Sequence, residues 1–307
     1  MTEHVRNLPV IQPGARLDTP PVFTKVAIVG LGLIGGSVAL AAREIWPTSL
    51  VIGVDNKTVL ERAMVRHAID VAADDPVVMA DADLVILAAP VCDNLDLLGD
   101  LGEHVRGTAV ITDVSSTKRE IVDAARSLPR RLTFIGGHPL GGAPRGGIDH
   151  ARPDLFRDRP WVLTPTGNDS GKSLERLQQF VSALGAVTHI MTAAEHDRVI
   201  AFLSHLPQLT ASALMHVVGE GIGKEGLALS GRGLSDTTRL ASSPPGIWRD
   251  IGVTNADEIG PAIDVLIGQL QELRAGLTDG GPTERIFESA ANWRDALVAQ
   301  RQSGQKE

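Results

Sequence analysis

Gly30-Leu31-Gly32-Leu33-Ile34-Gly35 is a G-x-G-x-x-G turn, and Asp55 stands 20 residues beyond Gly35. Glycines at this spacing suit a turn that cradles a pyrophosphate. The first permits the tight bend, the second lets the backbone approach phosphate, and the third lets the following helix pack close. Free N–H groups and the dipole at the helix start attract the phosphates. A carboxylate at Asp55 can accept both hydroxyls of an adenine ribose and would repel a 2′-phosphate, so these residues favour NAD over NADP. Alone, such a turn could also be a glycine-rich bend without a ligand.

Four further segments carry groups able to do chemistry. Thr112-Asp113-Val114-Ser115-Ser116-Thr117-Lys118 follows an apolar run, and Gly136-Gly137-His138-Pro139 follows another. Glu195-His196-Asp197 leads to Ser204-His205-Leu206-Pro207-Gln208. Ser235-Asp236-Thr237-Thr238-Arg239 precedes Trp248-Arg249-Asp250. No His/Cys/Asp/Glu spacing resembles a metal site. Cys92, the single cysteine, excludes an intrachain disulfide and is read as an inert, partly buried thiol.

The elements that must hold these groups can be read from periodicity. Short apolar runs at 26–29, 50–54, 84–88, 109–112, 132–135, 161–164 and 187–191 predict parallel strands covered on both faces. Helical patterns lie between them at 59–66, 92–101, 118–127 and 174–184. The small residues Gly36, Ser37, Ala39, Ala41 and Ala42 mark the helix after the glycine turn. This is a doubly wound α/β (Rossmann) domain, with its crevice at the strand C-termini. The glycine turn, Asp55, Ala89, Pro90, Ser115 and His138 should converge there. From residue 192 the pattern becomes mostly helical, at 193–219 and 255–277, and Pro207 should kink the first helix. The expected division is a loose tail at 1–24, a nucleotide-binding domain at 25–191, a helical substrate and dimerisation domain at 192–299, and a tail at 300–307.

With 307 residues, 43% hydrophobic, the chain suits two domains. A net charge of −8 argues against nucleic acid or an anionic membrane surface as partner, though not against an anionic small molecule met by a local arginine. No apolar stretch reaches membrane-spanning length and no signal segment is evident, so a cytoplasmic protein is expected.

Taken together, GLGLIGGS, TDVSSTK, GGHPLGG, HDRVIAFLSHLP and TTRLASSPPGIWRDI resemble the prephenate/arogenate dehydrogenase family of tyrosine biosynthesis, over residues 25–277. That resemblance implies NAD-dependent oxidative decarboxylation of a cyclohexadienol. It implies His138 as the group that accepts the hydroxyl proton, its ring of ordinary pKa and partly neutral at pH 7. Ser116 would orient both His138 and the substrate hydroxyl, with Ser115 its rival and a cofactor contact. One of these serines could also cap the following helix. Arg239 would grip a substrate carboxylate, its alternative being a salt bridge to Asp236 or Asp250. His205, Gln208 and Trp248 would line the substrate pocket, although His205 could be a plain helix-interface residue and Trp248 could fill the core. Arg249 and Asp250 read as a structural pair, and His189 and His216 as core or interface residues. Leu31, Leu33 and Ile34 would flank the cofactor with the glycines.

Two departures stand out. Gln208 replaces a histidine common in prephenate-preferring members, and Ala143-Pro144-Arg145 replaces a charged pair after the catalytic histidine. Neither a chorismate mutase domain in front nor an ACT domain behind is expected. The long Ala- and Leu-rich helix predicts a homodimer. A β-hydroxyacid dehydrogenase would instead need a lysine in the stretch 194–208, which has none. A non-catalytic NAD-sensing dimer would not need the histidine and arginine motifs together.

Overall fold

The computed structural model describes residues 20–142, 145–166, 171–278 and 280–303. The Ala143-Pro144 departure therefore lies outside the described residues. The first half is β1 (Lys25–Val29), α1 (Leu33–Ile45), β2 (Leu50–Val54), α2 (Lys57–Val65), β3 (Val71–Ala73), β4 (Leu84–Leu87), α3 (Val91–His104), β5 (Ala109–Asp113), α4 (Arg119–Ala124), β6 (Leu132–Pro139), β7 (Pro160–Pro165), α5 (Gly171–Ala183) and β8 (Val187–Ile190). They form one sheet in the order β3-β2-β1-β4-β5-β6-β7-β8. The chain reverses its direction across the sheet between β1 and β4, which opens the crevice at their C-terminal ends.

Alternate strand residues go to opposite faces, as a pleated sheet requires. Ile28, Leu84 and Ile86 join one cluster with Val38, Trp161 and Phe180. Ala27, Val85 and Leu87 join the other with Leu98 and Phe134. Burial on both faces explains the nearly unbroken apolar strands.

The structure corrects three expectations. β7 runs antiparallel to β6, with His138 opposite Val162; a strand buried on both faces looks alike in either direction. β6 does not end at residue 135 but continues through Gly136, Gly137 and His138, so the histidine stands on a strand rather than on a following loop. Of the tail expected to be loose, residues 1–19 lie outside the described residues; at its end Phe23 is packed rather than loose, 1% exposed, edge-on to Phe180 and beneath the Arg176 guanidinium.

The second half is α6 (Ala193–Ile200), a wide π turn at Ala201–His205, α7 (Leu206–Leu227), α8 (Arg232–Thr237), a 3₁₀ turn at Arg239–Ser242, α9 (Pro245–Thr254), α10 (Ala256–Ala275) and α11 (Gly281–Ser303). The tail expected from 300 is thus helical as far as Ser303. A small cluster of Ala201, Ile251 and Ile259, with Trp248 packed against it, is its own core. Val217, Ile222, Val265, Leu270, Phe287 and Trp293 lie exposed on α7, α10 and α11.

Candidate active site

The glycine turn is shaped by close contacts. Gly30 has φ +89°, and a Cβ there would lie 2.5 Å from the Ala89 nitrogen. A Cβ on Gly35 would lie 2.0 Å from the Gly30 carbonyl oxygen, so α1 can approach β1 only with glycine there. At Gly32, by contrast, a Cβ would meet nothing within 4 Å. Gly32 is also the N-cap of α1, no side chain caps it, and no acid occupies the first turn. Open space beside an uncapped helix start fits a pyrophosphate. Asp55 sits at the end of β2, where its Oδ2 accepts from Leu31 N at 2.7 Å and its Oδ1 from Asn56 N at 2.7 Å. The carboxylate therefore also braces the turn. Leu31 itself is a core residue, fully buried, so it contributes backbone rather than a side-chain contact.

On the neighbouring turns, Asn94 of α3 is a brace that no sequence motif pointed to. Its amide donates to the Leu87 and Ala89 carbonyls and, at 3.1 Å, to Ser115 Oγ. Ser115 N in turn donates to Asp113 Oδ2 at 2.9 Å. Ser115 is thus buried among protein partners. Pro90 is the exposed N-cap of α3. Cys92 is half-buried, and burial with the nearby Asp250 carboxylate raises its thiol pKa, which suits an inert thiol.

His138 is held from below by β5 and β7. The Gly137 nitrogen donates to Asp113 Oδ1 at 3.0 Å, while Asp113 Oδ2 pairs with the Lys118 ammonium, both side chains fully buried. Burial pushes the Lys118 pKa down, against the pull of Asp113. The His138 ring is buried and its Nδ1 lies 2.8 Å from His196 Nε2. His196 Nδ1 lies 2.8 Å from Asp197 Oδ1. Burial, then His196, Lys118 and His205, hold the His138 pKa well below 6.5. His138 is therefore fully neutral at pH 7, not partly so as expected.

No bond joins Ser116 to His138: His138 Nδ1 is taken by His196, and the half-buried Ser116 hydroxyl has no bonding partner among the described residues. Neither serine caps α4. The N-cap is Lys118, without a side-chain cap bond, and Asp197 serves instead from the other half of the chain. Its carboxylate accepts from Lys118 N at 2.7 Å and Arg119 N at 2.9 Å. Arg119 then reaches Asn255 and Asp257, and Thr117 bonds Thr254 across 2.8 Å, which ties the two halves together.

His196 and Asp197 come from α6, whose start is fixed by a capping box between Thr192 and Glu195. The π turn then brings His205 inward. Its ring is fully buried, Nδ1 lies 3.3 Å from the Asn255 amide, its edge meets Trp248 at 6.0 Å, and Nε2 has no partner among the described residues. Burial lowers the His205 pKa to about 4. Trp248 is half-buried and packs on the small helical core, as its core reading expected, while touching His205.

Gln208 does not present a free amide to a pocket. Nε2 donates to the Leu240 carbonyl at 2.7 Å and Oε1 accepts from Ser243 at 3.1 Å, so the side chain struts the turn that carries Arg239. Arg239 is exposed and its guanidinium has no ion-pair partner among the described residues; Asp250 is taken by Arg249 at 3.0 Å. The salt-bridge alternative for Arg239 is thereby removed, and the Arg249–Asp250 pair is present as expected.

A dinucleotide crevice facing a helical domain that completes a buried polar centre defines a two-domain, nucleotide-dependent class of protein. Residues 38–190 match the nucleotide-binding domain of prephenate dehydrogenase, and residues 192–289 match its dimerization domain. The chain belongs to the prephenate dehydrogenase family. It is 34% identical over 280 residues to prephenate dehydrogenase of Bacillus subtilis, covering 89% of this chain and 76% of that one. Synechocystis arogenate dehydrogenase is 31% identical with a TM-score of 0.75, over 89% of this chain and 99% of that one. The prephenate dehydrogenase of A. aeolicus, solved with hydroxyphenyl propionate and NAD+, is 28% identical with a TM-score of 0.79, over 91% and 98%.

Proposed function

We propose that this chain catalyses the NAD-dependent oxidative decarboxylation of prephenate to 4-hydroxyphenylpyruvate. The observation that carries the reading is His138: a buried, neutral imidazole on the strand end at the nucleotide crevice, with one nitrogen held by the protein. Such a group can accept a hydroxyl proton without first losing one of its own.

In this reading the turn 30–35 holds the pyrophosphate and Asp55 the adenine ribose. NAD, when bound, supplies the hydride acceptor. His138 takes the ring hydroxyl proton as the hydride leaves the carbon that bore it. Carbon dioxide leaves from the opposite ring carbon, and the electron pair of that bond completes the aromatic ring. Ser116, with its uncommitted hydroxyl, is placed to bond the substrate hydroxyl. Arg239, with no ion-pair partner among the described residues, would hold a carboxylate, and His205 Nε2 likewise has no partner among them. Gln208 acts by holding the Arg239 turn.

The likeness to the Synechocystis arogenate dehydrogenase supports a second reading, arogenate to tyrosine, with the same machinery. An assay of prephenate and arogenate, each with NAD and with NADP, followed by reduced-nicotinamide absorbance, separates the two. No turnover of either substrate would overturn both. The exposed apolar residues of α7, α10 and α11 support a homodimer, which light scattering at micromolar concentration checks.

A further inference from the structure

The buried chain of side chains behind His138 crosses from one half of the molecule to the other. We propose that His196 and Asp197 are positioning residues for His138: the Asp197 carboxylate, acting through His196, holds His138 in the tautomer whose Nε2 lone pair faces the substrate hydroxyl. This deepens the reading of His138 as proton acceptor and rests on it.

The tautomers follow from which groups can donate. Asp197 accepts four bonds, from His196 Nδ1, Lys118 N, Arg119 N and Arg119 Nε. Burial alone would raise its pKa, but these donors hold it below the usual carboxylate range, so it is ionised and only accepts. His196 Nδ1 must then carry the hydrogen. A neutral imidazole protonated at Nδ1 offers a lone pair at Nε2. That lone pair lies 2.8 Å from His138 Nδ1, which must donate to it. The remaining nitrogen of His138, Nε2, is left bare.

Burial first, and then the Lys118 charge, keeps both rings neutral beforehand. Lys118 lies against them from the β5–α4 turn with Asp113 as its counter-ion, and His205 faces them from the π turn. Burial lowers the His196 pKa, only partly offset by its bond to Asp197. When the substrate O–H breaks, its proton forms an N–H bond at His138 Nε2. The O–H electron pair becomes the carbonyl bond as the hydride departs to the nicotinamide. The new charge on His138 is then stabilised by its bond to His196, which Asp197 backs. No second proton has to move.

The arrangement is rigid from both sides. The Thr192–Glu195 box fixes where α6 starts, and the two α4 backbone donors fix the carboxylate. A helical half that merely packed against the crevice would not need an ionised side chain buried at the join, where it costs desolvation unless fully bonded.

The test compares His196→Phe with His196→Gln in the NAD-bound protein. Phenylalanine fills the space but accepts nothing; the glutamine carboxamide can place an acceptor where Nε2 stood. We expect His196→Phe to lower kcat about ten- to a hundredfold, the range for a hydrogen bond to a charged group, with KM for NAD and substrate little changed. His196→Gln should recover most of that loss. Nitrogen-15 spectra of histidine-labelled protein should show His138 protonated at Nδ1 and bare at Nε2, becoming a mixture in His196→Phe. Unchanged kcat in His196→Phe, or an Nε2-protonated His138 in the unmodified protein, would overturn the proposal. Should His196→Phe not fold, the unmodified spectrum and the glutamine variant still decide. His138→Asn tests the underlying reading separately: if it abolishes turnover while the tautomer is the opposite one, the reading stands and the positioning role falls.

Discussion

The nucleotide crevice and the buried polar centre around His138, the candidate catalytic pocket, are built in different ways. The crevice is made of backbone from neighbouring turns: Gly30 against Ala89, Gly35 against Gly30, Leu31 N on Asp55. Two large clusters of buried residues stand behind it. The pocket is made of side chains drawn from residues 113 to 257, and its helical wall has a small core of its own. A backbone site depends on where glycine is allowed; a side-chain site depends on each polar group finding its partner in the interior. Substitutions should therefore act differently in the two regions.

The sharpest separation comes from His138→Asn. It should fold and bind NAD, yet lose roughly 10²- to 10⁴-fold in kcat, the range for general acid–base groups. Isothermal titration with NAD alongside steady-state kinetics checks both halves of that statement. Loss of NAD affinity in parallel with kcat would mean that crevice and pocket are not separable.

Acid should strike the pocket. The folded state holds His205 neutral with a pKa of about 4, below its ordinary 6.5. Between those values the unfolded chain binds more protons, so stability is full above pH 6.5 and falls as pH drops toward 4. From His205 alone the loss is about 3 kcal/mol at most. His138, also lowered, adds in the same window, whereas Asp197 adds only below its ordinary 3.8. Urea melts at pH 7 and pH 5 measure it, and a His205→Gln protein should show a shallower dependence.

Arg239→Ala should raise KM for the carboxylate substrate with NAD affinity unaffected. Because the guanidinium is exposed in this chain, the low end of the range for a lost charge partner applies, about 2 kcal/mol. Arg239→Lys should recover only part, since an ammonium cannot make the two-pronged contact. A raised KM for NAD instead would place Arg239 on the wrong side of the comparison.

The smallest effect expected is at Asp55. Asp55→Ser should narrow the preference for NAD over NADP by about tenfold, the worth of one charged contact at a partly exposed site. Because Asp55 also braces Leu31, a small rise in KM for NAD itself should accompany it. Equal use of both cofactors by the unmodified protein would remove the ribose role.

Legibility in the chain divides along the same line. The glycine turn and Asp55 were legible because their requirements are local: a bend, a close approach and an acid at the next strand end. The end of β6 was not. Two adjacent glycines look like a turn, but here they permit neighbouring strands to crowd. A Cβ at Gly136 would lie 2.3 Å from Thr164 Oγ1, and one at Gly137 would lie 2.6 Å from the Asp113 carbonyl. The partner of His138 was also hidden, because His196 lies 58 residues away and no local pattern pairs them. Its one visible signal was an adjacent His-Asp placed by a Thr-x-x-Glu box. Gln208 was legible as a residue near the site, whereas its commitment to Leu240 and Ser243 depends on the fold of a distant turn.

Pro207 was expected to kink a helix, and the winding departs from α just before it, in the π turn at Ala201–His205. Having no N–H, Pro207 leaves the carbonyl four residues back without its usual donor. At about 100° per residue, an unbroken α-helix would carry Gln208 some 120° around from His196. The wide turn absorbs one residue, and His196, Ala201, His205, Gln208 and Ala211 all face inward. In the language of insertions and deletions, residues 201–205 are a place where the chain can lose one residue without rotating the helix beyond it. A homologous helix one residue shorter there would present the same inward face, so spacing between its motifs is a poor measure of distance in the site.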